Sequence, residues 1–155
     1  MFKLTIQKPA SDDLKALIEA GGKSKVCAAR ILAFLQELKG RQDWLQELLT
    51  RKFQNNEFNV DKYVEFWDAG LDMWRAALFE YDFSRQRKWQ MPYRILYAYD
   101  QGCLTFRVLG VVSRDFNYQS DHEFTQRIRR TYDELALPKH RVGRSASNRA
   151  GHKPH

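Results

Sequence analysis

The stretch YRILYAYDQGCLTFRVLGVVS, residues 93–113, alternates bulky apolar with smaller or polar side chains on both sides of Asp100-Gln101-Gly102. Period-two alternation interrupted by a glycine turn is the pattern of two antiparallel, half-buried strands. Closing the hairpin over Gln101-Gly102 puts Tyr93, Ile95, Tyr97 and Tyr99 on one face with Leu104, Phe106, Val108 and Val112. That face reads as core. The opposite face carries Arg94, Ala98, Thr105, Arg107 and Ser113.

The segments around this hairpin complete a meander. MWRAALFEY, beginning at Met73, reads as the strand before it, and DFSRQRKWQMP as a basic loop closed by Pro92. A helix is predicted from about Ser120 to Leu135, with Phe124, Ile128, Tyr132 and Leu135 inward and Arg127, Arg129 and Arg130 outward. Pro138 stops it. Towards the N-terminus, Phe2 to Ile6 reads as an edge strand, and Ser11 caps a short helix ending at Ala20. Ile31, Leu35, Leu38, Leu45, Leu48 and Leu49 then repeat at helical spacing, which fits an αα-hairpin and a kinked long helix equally. Residues 55–70 fit neither pattern. The expectation is an α+β fold, with N-terminal helices packed on a small antiparallel meander and a C-terminal helix.

At 155 residues the chain is expected to form one domain, residues 1–137, with 138–155 as a basic arm. The arm holds five basic residues (Lys139, Arg141, Arg144, Arg149 and Lys153) and no acid. It reads as mobile, either a solubility tail or a grip on phosphates. The whole chain carries a formal net charge of +7, which favours a polyanionic or acidic partner. No apolar run is long enough to span a bilayer, and MFKLTIQKPASDD turns polar too soon for a secretory signal. Cys27 and Cys103 lack the neighbours of a zinc or redox motif, so both read as reduced core thiols in a cytoplasmic protein. Gly21-Gly22-Lys23-Ser24 lacks the first glycine of a phosphate loop and reads as a helix stop.

The chemistry legible in the sequence is arginine-rich, with no metal or cofactor site. Arg75, Arg94 and Arg114 fall on or beside successive strands, and Asp115 and Tyr118 follow closely. Guanidinium groups held by strands make a rigid anion clamp. RNA can be cut without metal when its 2′-hydroxyl attacks the adjacent phosphate, given a base, cations for the pentavalent phosphate and an acid for the leaving oxygen. The arginines would supply the charge, and Tyr118 or Asp115 the proton transfer. Trp89, beside Arg85, Arg87 and Lys88, is a candidate for stacking on a base, and Arg107 for a phosphate contact. His122 stands alone at a helix start and reads as exposed and inert.

WRAALFEYD, PYRILYAYD and LTFRVLGVVSRDFNY, in that order, resemble the RelE/ParE superfamily of bacterial toxin–antitoxin toxins. The resemblance covers about residues 71–135. It implies a β-meander with helices on one side and, in the ribonuclease members, a catalytic open face. By resemblance, Arg94 matches an arginine at the scissile region and Arg114 a charge-stabilising residue. Arg75 falls at a lysine position of the ribosome-dependent mRNA endonucleases, and Tyr118 at a tyrosine position. A second family lysine falls on Ala77, which puts the usual base in doubt. The implied activity is translation-inhibiting, metal-free mRNA cleavage on the ribosome, countered by a cognate antitoxin. A ParE-like, non-enzymatic inhibitor of DNA gyrase is the alternative, and a nucleic-acid-binding domain without catalysis is a third reading.

Overall fold

The computed structural model describes residues 1–141. In chain order the elements are β1 (Lys3–Ile6), α1 (Lys8–Ala20), α2 (Gly22–Lys39), α3 (Gln42–Glu47), β2 (Phe53–Gln54), β3 (Phe58–Lys62), α4 (Val64–Asp68), β4 (Met73–Asp82), β5 (Arg87–Gln90), β6 (Tyr93–Asp100), β7 (Thr105–Ser113) and α5 (His122–Glu134). The strands form one sheet in the order β1-β7-β6-β4-β3-β2, with β5 paired to β4. All neighbours are antiparallel except β1, which runs parallel to β7. The α+β class therefore holds. Among the described residues no helix is long and apolar enough to cross a membrane.

Local chemistry sets the helix boundaries. Pro9 sits in the first turn of α1, where a missing N–H costs nothing, so the helix starts before Ser11. Gly21 ends it at φ 73°, a left-handed value that favours glycine, and its N–H donates to Ile18 O at 3.1 Å. Gly21-Gly22-Lys23-Ser24 is thus the joint between two helices. Gly40 divides the next apolar stripe into α2 and the short α3. Residues 55–70, unassigned from sequence, hold β3 and α4.

The basic loop expected over residues 82–92 is partly strand. Met73–Ala76 of β4 pair with β6, whereas Phe79–Asp82 pair with β5. A strand extending past its neighbour leaves a free edge, and the returning chain fills it.

Helices α1 to α3 cover one face of the sheet. Leu14, Ile31, Leu35, Leu38 and Leu45 pack there with Trp74, Leu78, Ile95, Tyr97, Phe106 and Val108. Buried Tyr97 donates its hydroxyl to Leu48 O at 2.7 Å. The other face, expected to be polar, has a core of its own: Met73, Leu96, Ala98 and Leu109 pack with Phe66 of α4 and with Ile128 and Tyr132 of α5. A register shift between Leu96 and Tyr97 explains part of the difference. Leu96 pairs with Gly110 and Tyr97 with Val108, so one extra residue reverses the parity of β7. Val111, not Val112, then joins the first core, and Val112 packs on the second. Leu104 is likewise not a core residue; it leaves the turn in a left-handed conformation (φ 54°) and is 41% exposed.

Gly110 lies directly under α5. A Cβ there would meet Phe124 Cζ at 2.9 Å and both Arg127 Nη2 and Ile128 Cδ1 at 3.0 Å. Gly110→Ala should lower stability by about 1–3 kcal/mol, because one methyl must displace a packed helix. Thermal melting of the purified variant checks this.

Other expectations change for stated reasons. Arg127 does not face solvent: it makes two bonds to Asp13 of α1, at 2.8 and 2.7 Å. Cys27 is buried, but Cys103 is exposed in the β6–β7 turn. Lys139 belongs to the body rather than to a free arm, through a bridge to Leu71 and an ion pair with Asp133. His140 stacks on Trp67 with ring centroids 3.9 Å apart. The remainder of the basic arm, with Arg144, Arg149 and Lys153, lies outside the described residues.

Candidate functional site

Arg75 of β4 and Arg94 of β6 point away from α1 to α3, because alternate residues of both strands (Trp74, Ala76, Ile95) are taken by the helix-covered core. They line a recess of about 180 Å³ with Asp61, Lys62, Tyr63, Val64, Glu65 and Phe116. The start of α4 supplies Tyr63 and Glu65. Arg114, just past β7, is anchored by its backbone N–H to Pro92 O at 2.9 Å. Burial, then Arg75, and further Arg114, push the Arg94 guanidinium below its usual value, so the three cations share one field. Among the described residues none of the three makes an ion pair, and the buried Arg94 Nε has no hydrogen-bond partner. Arginine stays charged in such a setting. The cations of the recess therefore outnumber its two carboxylates, Asp61 and Glu65.

Its acidic neighbours have separate duties. Burial would raise Asp61, but the Lys62 N–H at 2.8 Å and Arg51 at 3.2 Å outweigh it and hold the carboxyl low. Lys62 Nζ forms an ion pair with Asp72 at 3.3 Å and lies 3.6 Å above the Trp67 ring. Tyr63 stands out. Burial first, and then Glu65, push its phenol up to about 12 against the pull of Arg94 and Arg75, so it keeps its proton at neutral pH. Among the described residues its hydroxyl makes no hydrogen bond. A protonated phenol, an exposed carboxylate (Glu65) and two arginines on one recess can bind a phosphodiester and move protons at it.

The structure brings Arg75 and Arg94 together in the recess, sets Arg114 near enough to act on the charge of Arg94, and leaves the other predicted residues outside the recess. Tyr118 packs edge-on to Phe66, and its hydroxyl accepts from Arg129 Nη1 at 3.1 Å. Asp115 lines a neighbouring, wider concavity of about 770 Å³ with Asp121, exposed His122 and Glu123. Phe116 forms the wall between the two. Arg107 pairs with Asp100 at 3.1 Å, roughly 13 Å along the sheet from Arg94. Leu96, Leu109 and α5 fill the space between. Arg85, Arg87 and Lys88 lie on the β4–β5 hairpin, and Arg141 is exposed at the last described position. Trp89 is fixed by its indole N–H to Glu80 at 2.8 Å, on the side of α2.

Tyr63 and Glu65 were not legible as site residues. They sit in a stretch without clear periodicity, and only the pairing of β3 with β4 carries them beside Arg94.

Comparison of the chain with protein-family models, curated proteins and solved structures gives no match.

Proposed function

We propose that the chain is a metal-free endoribonuclease that cuts mRNA in the ribosomal decoding site and arrests growth as the toxin of a toxin–antitoxin pair. The observation that carries this reading is the recess itself: Arg75 and Arg94 without ion pairs, with the charge of Arg114 acting on Arg94, beside the Tyr63 phenol. A scissile phosphate would sit on Arg94 and Arg75, with Arg114 adding charge. Glu65 takes the proton of the 2′-hydroxyl as its oxygen attacks phosphorus. The bond to the 5′-oxygen breaks, and Tyr63 donates its proton there. The products are a 2′,3′-cyclic phosphate and a 5′-hydroxyl end.

Helices packed on one side of a β4–β6–β7 meander also support the resemblance to RelE/ParE toxins. The extra strands β2 and β3, and the partial cover of the second face by α5, are departures from that simple plan. A single carboxylate is a modest base, so much of the rate would come from positioning on the ribosome. An antitoxin would neutralise the chain by covering the arginine recess with an acidic segment.

The test is induced expression in bacteria with mapping of RNA 5′ ends, for the parent chain and for Tyr63→Phe. The parent should arrest growth and leave new ends within translated frames. Tyr63→Phe should reduce cleavage about 10²–10⁴-fold, the usual value of a positioned general acid. Arrest with intact mRNA would refute the nuclease reading and move the target to gyrase or another protein.

A further inference from the structure

The β4–β5 hairpin extends the same sheet face beyond the recess. Arg75, Ala77, Phe79 and Tyr81 alternate along β4, so all four side chains point to the Arg94 side. The recess shares Asp61 and Arg75 with a second depression of about 180 Å³, lined by Lys52, Gln54, Asn59 and Gln90. Gln90 pairs with Phe79, and Lys88 with Tyr81. A continuous path therefore runs from the arginines to the hairpin tip, roughly 20 Å for the six steps along the strand from Arg75 to Tyr81.

At its end two aromatic rings stand open. Tyr81 and Phe83 lie parallel, with centroids 5.7 Å apart and planes at 12°. Tyr81 is 41% exposed and Phe83 86%. The Tyr81 hydroxyl donates to Asn56 O at 2.6 Å, which fixes the orientation of its ring. Cations flank the pair. Lys88 Nζ sits 4.4 Å from the Phe79 ring centroid, Arg87 stands opposite Asp82, and Arg85 lies 3.6 Å from Asp82. Glu80 is turned to the other face, where Lys23 and Arg30 engage it. Planar rings among cations suit a nucleobase with its phosphate better than an apolar protein segment.

We propose that the Tyr81–Phe83 pair is a base-stacking platform for single-stranded RNA whose phosphate backbone continues into the arginine recess. The path to that recess rests on the function proposed above; the platform itself needs only RNA binding. It takes an unpaired base, because a base inside a duplex offers no free face to a surface ring.

The test uses the full chain and a short 2′-O-methyl oligonucleotide, which cannot be cleaved by 2′-oxygen attack, with 2-aminopurine placed at one position at a time. Fluorescence should be quenched at a base some distance from the one nearest Arg94. Phe83→Ser should weaken binding about tenfold and abolish that quench. Phe83 is almost fully exposed, so this variant keeps the fold; Tyr81→Ser with Phe83→Ser should weaken binding further. Unchanged affinity and quench in both variants would overturn the platform and assign the rings to a protein contact. Equal affinity for a blunt duplex of the same length would overturn it as well. If the parent shows the quench while expression leaves mRNA intact, the platform stands and the nuclease reading falls.

Discussion

Arg94→Ala is expected to abolish growth inhibition while leaving thermal stability equal to or above that of the parent chain. The two halves of this result have one cause. Arg94 is half-buried beside Arg75 and Arg114, with its Nε unpartnered, so in the free protein it contributes repulsion and desolvation rather than bonding. Removing it relieves both. With a phosphodiester in the recess the same groups become attractive, and the loss of one preorganised donor costs about 10²–10³ in rate. Arg94→Lys should recover little, because a single ammonium cannot reproduce the planar two-pronged contact of guanidinium with phosphate. Growth curves with 5′-end mapping read the first half, and calorimetry of the purified variant reads the second. Persistent arrest by a folded Arg94→Ala protein would remove this residue from the mechanism.

Asp13→Ala should have the largest effect on stability. Asp13 of α1 reaches across the edge of β7, where β1 has already ended, and accepts the Val111 N–H at 2.9 Å. It also takes both terminal nitrogens of Arg127 from α5. One carboxylate therefore ties the two helical layers together through the sheet. Its side chain is 16% exposed and that of Arg127 28%, so water replaces the lost bonds poorly. Deletion strands a cation and a strand N–H together, and should cost about 3 kcal/mol. For a chain of this size that is a fall of roughly 8 °C in Tm. Arg127→Met should cost less, since Asp13 keeps Val111 and only the guanidinium contacts with Asp13 and Phe124 are lost. The double variant should fall short of the sum of the two, and additive losses would show that the pair is not coupled.

The 93–113 hairpin and the amphipathic 120–135 helix were legible because their periodicity is local. Residues two apart on a strand share a face whatever the rest of the chain does. Even there, parity failed at one point. The bulge opposite Leu96 exchanged Val112 for Val111, and no composition rule announces an extra residue in a ladder. The second core was hidden for a related reason: Leu96, Ala98 and Leu109 look like an ordinary outer face until α5 is placed on them.

By itself the sequence determined the α+β class, the meander, the helix break at Gly21 and the position of Arg75, Arg94 and Arg114 on or beside strands of that meander. All of these follow from periodicity, backbone preference and side-chain charge, which act over a few residues. Only the tertiary structure decided which partners those arginines have. Pairing of β3 with β4 set Tyr63 and Glu65 beside Arg94, the Arg129 contact occupied the Tyr118 hydroxyl, and Asp100 engaged Arg107. These contacts join residues far apart in the chain or turn on which face of a strand each side chain takes. Burial around Tyr63, which no linear pattern encodes, is what raises its phenol to about 12.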